Sequence, residues 1–543
     1  MLTARSARGT HASPALGRSA QRTTHAIAVL AIAWVFSGCA SDSIDLSQPP
    51  IITTPIERPV LSPTYRASGR AATGDVFVHL FEWRWPDIAT ECTQQLGPAG
   101  VKAVQVSPPQ EHLVLNGAPW WIRYQPVSYS IERSRSGSRA EFIAMVAQCK
   151  TAGVDIYVDA VINHMTAGSG TGSNGTVYTK YSYPGLFTTS DFHAPCGISN
   201  YQSASNVQEC ELVGLADLRT ESTAVQQKIA DYLVGLVRLG VAGFRIDAAK
   251  HIQPVELDAI IARLNQATVA EGLSRPYVFS EVIDYGGEGV RVADYFGLGY
   301  ASGGSSDITE FKYRGIGNKF LAVNGEKVAD LSRFSPIAWQ VIPSDKAVVF
   351  VENHDTQRSD GIWYRDGALL RLSYVWLLGY PYGYPSIMSS FAFDRSSQPA
   401  RDQGPPSDAS GATNRVSCAT SMETATIGQW VCEHRDPTVV RMIAFRKAMA
   451  GTDVSRLWDN GGNAVAFSRG DQGFVAINRE PQSLTASVAT GLPSGSYCDL
   501  LSGGIAGTTC AGTTVVVASG GIATFTITST RAIAITRSTR LTP

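Results

Sequence analysis

Three acidic residues stand at the ends of apolar runs far apart in the chain: Asp247 in GFRIDAAKH (243–251), Glu281 in VFSEVID (278–284) and Asp355 in VVFVENHDTQR (348–358). Parallel strands followed by helices deliver their termini to one face, so the three carboxylates are expected around a single cleft. The chemistry such a group suits is glycosidic bond cleavage, in which one carboxylic acid protonates the leaving oxygen and one carboxylate attacks or stabilises the anomeric carbon. A lone Asp after a strand is more often a solvated loop residue. Arg245 weighs against that for Asp247, because it sits two residues earlier on the same strand face, where a buried guanidinium would hold the carboxylate ionised. Glu281 has no basic residue on its C-terminal side before Arg291. Desolvated beside two anions, it should have the raised pKa that a general acid needs. Asn353, His354 and Asp355 place three hydrogen-bonding side chains in succession.

Trp120, Trp121, Tyr124 and Gln125 cluster before Pro126, and Tyr201 stands further on. Aromatic faces stack on sugar rings, although core packing is the commoner use of paired tryptophans. Two adjacent Trp cannot both face inward on one strand, which favours a partly exposed platform. Asp159 falls inside an apolar run, where an uncompensated charge would be costly. Support of the site and contact with substrate are equally open for it.

The elements that must position these residues follow a rhythm. Apolar runs at 76–81, 103–107, 155–162, 243–247, 277–281, 308–311, 347–351 and 385–388 alternate with helical patterns such as 141–150 and 255–264. Eight strands alternating with helices argue for a (β/α)8 barrel, an α/β fold, over 74–163 and 219–450. The stretch 164–218 breaks the rhythm, being rich in Gly, Ser, Tyr and Asn, and reads as a small irregular domain inserted after strand 3. From 451 to 540, short alternating segments such as NAVAFSRG, GFVAINRE and ATFTITST separated by Gly read as an antiparallel β-sandwich.

Forty-four per cent hydrophobic and 17% charged residues describe a folded, soluble chain, and a formal net charge of −1 removes any global reason to expect nucleic acid as a partner. A neutral polymer is the more compatible ligand. Residues 1–39 combine scattered arginines with an apolar run and end in Ser37-Gly38-Cys39-Ala40, the layout of a secretory signal. Phe-Ser-Gly-Cys resembles a bacterial lipoprotein box with Cys39 as the lipidated residue; Cys39 in a discarded segment is the alternative. Residues 40–73 read as a tether. The only membrane contact expected is through that anchor, preferably at the outer membrane because Asp does not follow Cys39. Nine cysteines are an odd count. Without Cys39 eight remain, and pairing is more plausible than metal binding because no C-x-x-C occurs.

The blocks DVFVHLFEWRW (75–85), VQVSPPQEH, PWWIRYQPVSY, IYVDAVINHM, VAGFRIDAAKH and VFVENHDTQR resemble the animal-type branch of the alpha-amylase family, glycoside hydrolase family 13, with the chain read as a bacterial member. The similarity runs from about Gly74 to the C-terminus. It implies endo-hydrolysis of α-1,4-glucosidic bonds in starch-like polysaccharide with retention, by an enzyme expected to be a monomer. An exo-acting or transglycosylating member and a non-catalytic glycan-binding lipoprotein are the alternatives. In residue terms it implies Asp247 as nucleophile, Glu281 as acid then base, and Asp355 as the carboxylate that orients substrate hydroxyls. Trp120, Trp121, Tyr124, Gln125, His164, Tyr201, Arg245, Lys250, His251 and His354 would line the substrate. Calcium would lie at Asn163, Gln208, Asp217 and His251, with Gln208 and His251 lending carbonyl oxygens. The family's chloride site uses Arg245, Asn353 and a second basic residue; here that position is Ser386, so chloride is not expected to bind. Resemblance also implies disulfides Cys92–Cys149, Cys196–Cys210, Cys418–Cys432 and Cys498–Cys510. Segment 359–370 lacks the family's Gly-rich mobile loop and has Asp360 where His is usual.

Overall fold

The computed structural model describes residues 67–541. The export segment, Cys39 and most of the tether lie outside the described residues. Eight parallel strands close into a barrel: β1 (Phe77–Leu80), β2 (Ala103–Val106), β3 (Asp155–Ala160), β4 (Gly243–Ile246), β5 (Tyr277–Ser280), β6 (Ser306–Thr309), β7 (Ala347–Val349) and β8 (Tyr384–Ser389). Each strand neighbours the next in sequence, and β1 closes the ring by pairing Phe77 with both Ala103 and Ser386.

Period-two alternation divides the bore into two zones. The lower zone is an aromatic plug of Phe77, Tyr157, Tyr277, Phe279 and Tyr384. One step further along the same inward faces stand Asp159, Arg245 and Glu281, so the charged layer sits at the strands' C-terminal ends. Gly243 allows this packing: a Cβ there would come within 2.7 Å of the Tyr157 ring and of the Tyr277 carbonyl.

The expected helices form and run longer than read. One spans Arg139–Thr151 behind a Ser138/Glu141 capping box, and another spans Pro254–Ala270 with Pro at its first turn. Strand β6 starts two residues before the expected 308–311. Its polar Ser306 and Asp307 are buried, with Asp307 accepting hydrogen bonds from Tyr277 (2.8 Å) and Ser68 (2.6 Å). Near the end of the expected tether, this Ser68 contact and Arg70, 5.3 Å from the Tyr277 ring centre, lie at the N-terminal mouth of the barrel.

Between β3 and the helix Thr223–Arg238 the chain makes two-residue ladders, short turns and one short helix, Ala204–Gln208. Beyond Gly451 two four-stranded antiparallel sheets face each other. Strands Val454–Asp459, Leu484–Ala489 and Gly495–Cys498 add to those read from the sequence. Ala464–Arg469 and Gly473–Asn478 are buried throughout, because one face meets the other sheet and the other meets the barrel helix Ala368–Gly379, where Trp376 and Phe467 rings lie 5.3 Å apart. All four disulfides implied above are formed.

Candidate active site

Asp247 and Glu281 each follow directly on the last residue of a barrel strand, and Asp355 opens a short turn, Thr356–Arg358, beyond β7. Arg245 joins them. Its Nη1 donates to Asp247 Oδ1 at 2.8 Å and to Asp159 Oδ1 at 2.5 Å, while its Nη2 donates to Glu281 Oε1. Glu281 therefore does not stand without a basic partner, contrary to its sequence neighbourhood; the cation comes from the adjacent strand, 36 residues away. The other oxygen, Oε2, accepts from the backbone N–H of Ala248 at 2.9 Å. Ala248 has φ 49°, a left-handed conformation that aims this N–H inward and turns the chain into the Ala249–His251 turn.

Burial pushes Glu281 up to about 8; Asp247 and Asp355 add to the rise, and Arg245 and the Ala248 N–H oppose it without cancelling it. Asp355 is also raised, by burial, although 41% of its side chain is exposed at the mouth of the cleft. Arg245 stays charged, since the three carboxylates outweigh the burial of its guanidinium. Asp159 is fully enclosed and raised to about 6 by burial; it also accepts from Tyr124 (2.9 Å) and Gln105 (3.4 Å). With no surface left for substrate, Asp159 supports the site. One guanidinium thus gathers a proton-holding carboxyl and a second carboxylate at the mouth of a barrel, an arrangement for acid-assisted displacement at an anomeric carbon.

Residues 100–270 match the family model "Alpha amylase, catalytic domain" and residues 458–538 match "Alpha amylase, C-terminal all-beta domain". The chain is 43% identical over 467 residues to the alpha-amylase of Tenebrio molitor, covering 84% of this chain and 94% of that one. It is 42% identical over 489 residues to pancreatic alpha-amylase 2a5 of Mus musculus, covering 85% and 93%. The crystal structure of alpha-amylase I from Eisenia fetida superposes with a TM-score of 0.78 at 37% identity, covering 87% of this chain and 98% of that one. The chain belongs to the alpha-amylase family. It is a glycoside hydrolase, and its barrel and sandwich are those of an amylase.

Around the amylase carboxylates lies an aromatic wall. Tyr124 and His354 stack with ring centres 5.2 Å apart, and Trp120 meets His354 edge-on at 5.6 Å. Trp120 and Trp121 lie on a 3-10 turn, Trp120–Tyr124, so the strand argument for their exposure does not apply; both are nonetheless half-buried. The Trp120 N–H donates to the Asp402 carbonyl at 3.2 Å, and Gln125 accepts from the Ala167 N–H at 3.1 Å. His164 donates from Nε2 to the Tyr124 carbonyl (3.0 Å), and its Nδ1 accepts from Asn163 (3.3 Å). Both ring nitrogens are engaged, and burial lowers its pKa, so it is neutral. Across the site Lys250 donates to the Ile283 carbonyl (2.7 Å) and to Glu288, under the exposed ring of Tyr201.

Asn163, Gln208, Asp217 and His251 make two sets of contacts between the inserted segment and the barrel. His251 Nδ1 donates to the Val207 carbonyl (2.9 Å), and Asn163 Nδ2 donates to Asp217 Oδ1 (3.3 Å). Gln208 ends a helix, whose last carbonyls lack helical partners. Burial pushes Asp217 up to about 6. A buried carboxylate among amide and carbonyl oxygens is a donor set that fits a hard cation such as calcium. The anion site does not fit its ion. Arg245 is engaged by carboxylates, Asn353 Oδ1 accepts from the N–H groups of Asp355 (3.1 Å) and Thr356 (2.8 Å), and Ser386 carries no charge.

Three participants escaped the sequence reading. His79 lies 5.4 Å from His354 at the top of β1. Arg358 threads among Phe81, Trp120, Phe391 and Phe393 and donates to the His354 carbonyl at 2.6 Å, which fixes the turn carrying Asp355. His193 bonds Asp217 Oδ2 at 2.7 Å. The first two lie inside quoted motif blocks, so a signal existed; His193 had none.

Proposed function

We propose that this chain is an exported enzyme that cleaves internal α-1,4 bonds of starch-like glucans by double displacement. Glu281, protonated in the resting site, gives its proton to the glycosidic oxygen while Asp247 attacks C1; the leaving chain departs and a glycosyl ester forms on Asp247. Glu281, now ionised, takes a proton from water as that water attacks C1, and Asp247 leaves as carboxylate. Two inversions give net retention. Asp355 orients sugar hydroxyls at the mouth, and Asp159 and Arg358 hold the frame. The observation that carries this reading is the single Arg245 fork shared by Asp247 and Glu281.

The Eisenia fetida relative has also been crystallised as a glutamate-to-glutamine variant with maltohexaose, which supports a glucan substrate here. Calcium, when bound at Asn163, Gln208, Asp217 and His251, would supply charge that pins the inserted domain to the barrel. Export is supported by four disulfides, which persist in oxidising compartments. The lipobox-like Cys39 supports a bacterial lipoprotein, and the mass of the mature N-terminus tests it. For the reaction, the purified full chain is given soluble starch and the first products are read by NMR and chromatography. An initial α-anomer with a ladder of oligomers supports the reading. One uniform short product would indicate an exo-acting member, products longer than the substrate a transglycosylating one, and binding without release a glycan-binding lipoprotein.

A further inference from the structure

Beyond Glu281 the β5 loop runs to Tyr285, a large aromatic residue left 42% exposed on the catalytic face. Several contacts hold it. Asp284 closes the loop at both ends, accepting from the N–H of Gly286 (2.7 Å) and of Val292 (2.9 Å). Arg314, from the β6 loop, donates from Nε to the Tyr285 hydroxyl at 3.0 Å, with its guanidinium carbon 5.7 Å from the ring centre. Arg314 Nη1 in turn lies 3.7 Å from Asp360, on the β7 loop. Three consecutive barrel loops are thereby tied together through one arginine, Arg314.

The phenol is raised by burial, with Arg314 opposing the rise and the charges of Asp360 and Asp355 adding to it. The hydroxyl end is held by Arg314, and Asp355 is near enough for its charge to act on the phenol. An aromatic ring fixed at its polar end, in a residue 42% exposed, is suited to a sugar ring, which offers C–H groups to a π face. The position in the barrel assigns the side. Trp120 and Tyr124 belong to the loop after β2, whereas Arg314 follows β6, half-way round an eight-stranded ring. Tyr285 shares its loop with the residue that protonates the leaving oxygen.

We propose that Tyr285, braced by Arg314, is a stacking platform for the glucose unit on the leaving-group side of the scissile bond and so determines which bond of an oligosaccharide is cut. This rests on the hydrolase reading above. The platform also gives Asp360 a role: it restrains Arg314 where the family's mobile loop is missing.

The test compares the unaltered enzyme with Tyr285→Ala, Tyr285→Phe and Arg314→Ala on two substrates: end-labelled maltoheptaose, and α-maltotriosyl fluoride, whose leaving group carries no ring. Tyr285→Ala should lower kcat/KM on maltoheptaose about 5- to 10-fold, the worth of one aromatic contact, and move the principal cleavage position. On the fluoride it should change less than about 2-fold. Tyr285→Phe should keep the cleavage pattern, and Arg314→Ala should fall between. An unchanged pattern in a folded, active Tyr285→Ala variant would overturn the proposal, as would equal losses on both substrates, which would place the ring elsewhere. An unaltered enzyme inert on both substrates would instead refute the hydrolase reading.

Discussion

Arg245 and Glu281 are joined by a buried hydrogen bond, although the carboxyl of Glu281 is pushed up to about 8. A fixed positive charge favours the ionised form, so Arg245 moderates a rise that burial and two neighbouring carboxylates would otherwise drive higher. The acid is tuned from the next strand.

The pH dependence of kcat/KM reports this directly. Activity should fall on the alkaline side near pH 8 as Glu281 loses its proton. Replacing Arg245 with Gln removes the opposing charge, so the alkaline limb should move upward in pH. The maximum should drop, because Asp159 and Asp247 lose their counter-charge. Initial rates across the range check both, and a limb that moves downward would contradict the assignment.

Stability should run the other way from activity at this residue. The ordinary value of 4.5 for Glu281 rises to about 8 on folding. Between those values the folded chain holds a proton that the unfolded chain has released, so this contribution is complete below pH 4.5 and is lost as pH rises to about 8. Glu281→Gln cannot ionise. It should unfold at a higher temperature than the unaltered protein at pH 8, by the equivalent of about 1–3 kcal/mol, with the gap closing towards pH 5. Starch hydrolysis by the same variant should fall about 10²- to 10⁴-fold. Calorimetry and initial rates separate the two effects.

What could be read in advance depended on whether the signal was local. The barrel was legible because each strand is a short apolar run ending in a polar residue, and period two alone puts Arg245 and Asp247 on one face. β6 was misplaced because Ser306 and Asp307 look like loop and are buried only through partners at Ser68 and Tyr277. Leu484–Ala489 escaped because one of its faces is solvated and carries Thr485 and Ser487, which pair across strands with Thr526 and Thr524. The Arg245–Glu281 bond and the inward N–H of Ala248 are properties of strand adjacency and backbone dihedrals, which no spacing in the chain encodes.

Chloride should be without effect. With Ser386 at the second basic position and the Arg245 fork filled by carboxylates, an added anion would meet Asp159, Asp247 and Glu281 with no surplus positive charge. After exhaustive dialysis, kcat/KM should change less than about 2-fold on adding sodium chloride at constant ionic strength. A many-fold activation would overturn this, and would require Arg245 to release one of its carboxylates.

Calcium should stabilise the protein, and that effect should fade in acid. Asp217 must be ionised to hold a cation, yet burial raises it to about 6. His193 already bonds its Oδ2, and burial of that imidazole is outweighed by the hydrogen bond and charge of Asp217, so the histidine's pKa is raised. Calcium must therefore compete with a proton on Asp217 and with the His193 hydrogen bond to its Oδ2. At pH 7.5, calcium at about a hundred times its Kd should add about 2.7 kcal/mol to stability, read as a higher Tm than in chelator. Below about pH 6 the difference should shrink, because protonation of Asp217 precedes loss of the metal. Asp217→Ala should abolish the difference at both pH values. A calcium effect that survives in Asp217→Ala would move the metal away from the junction between the inserted domain and the barrel.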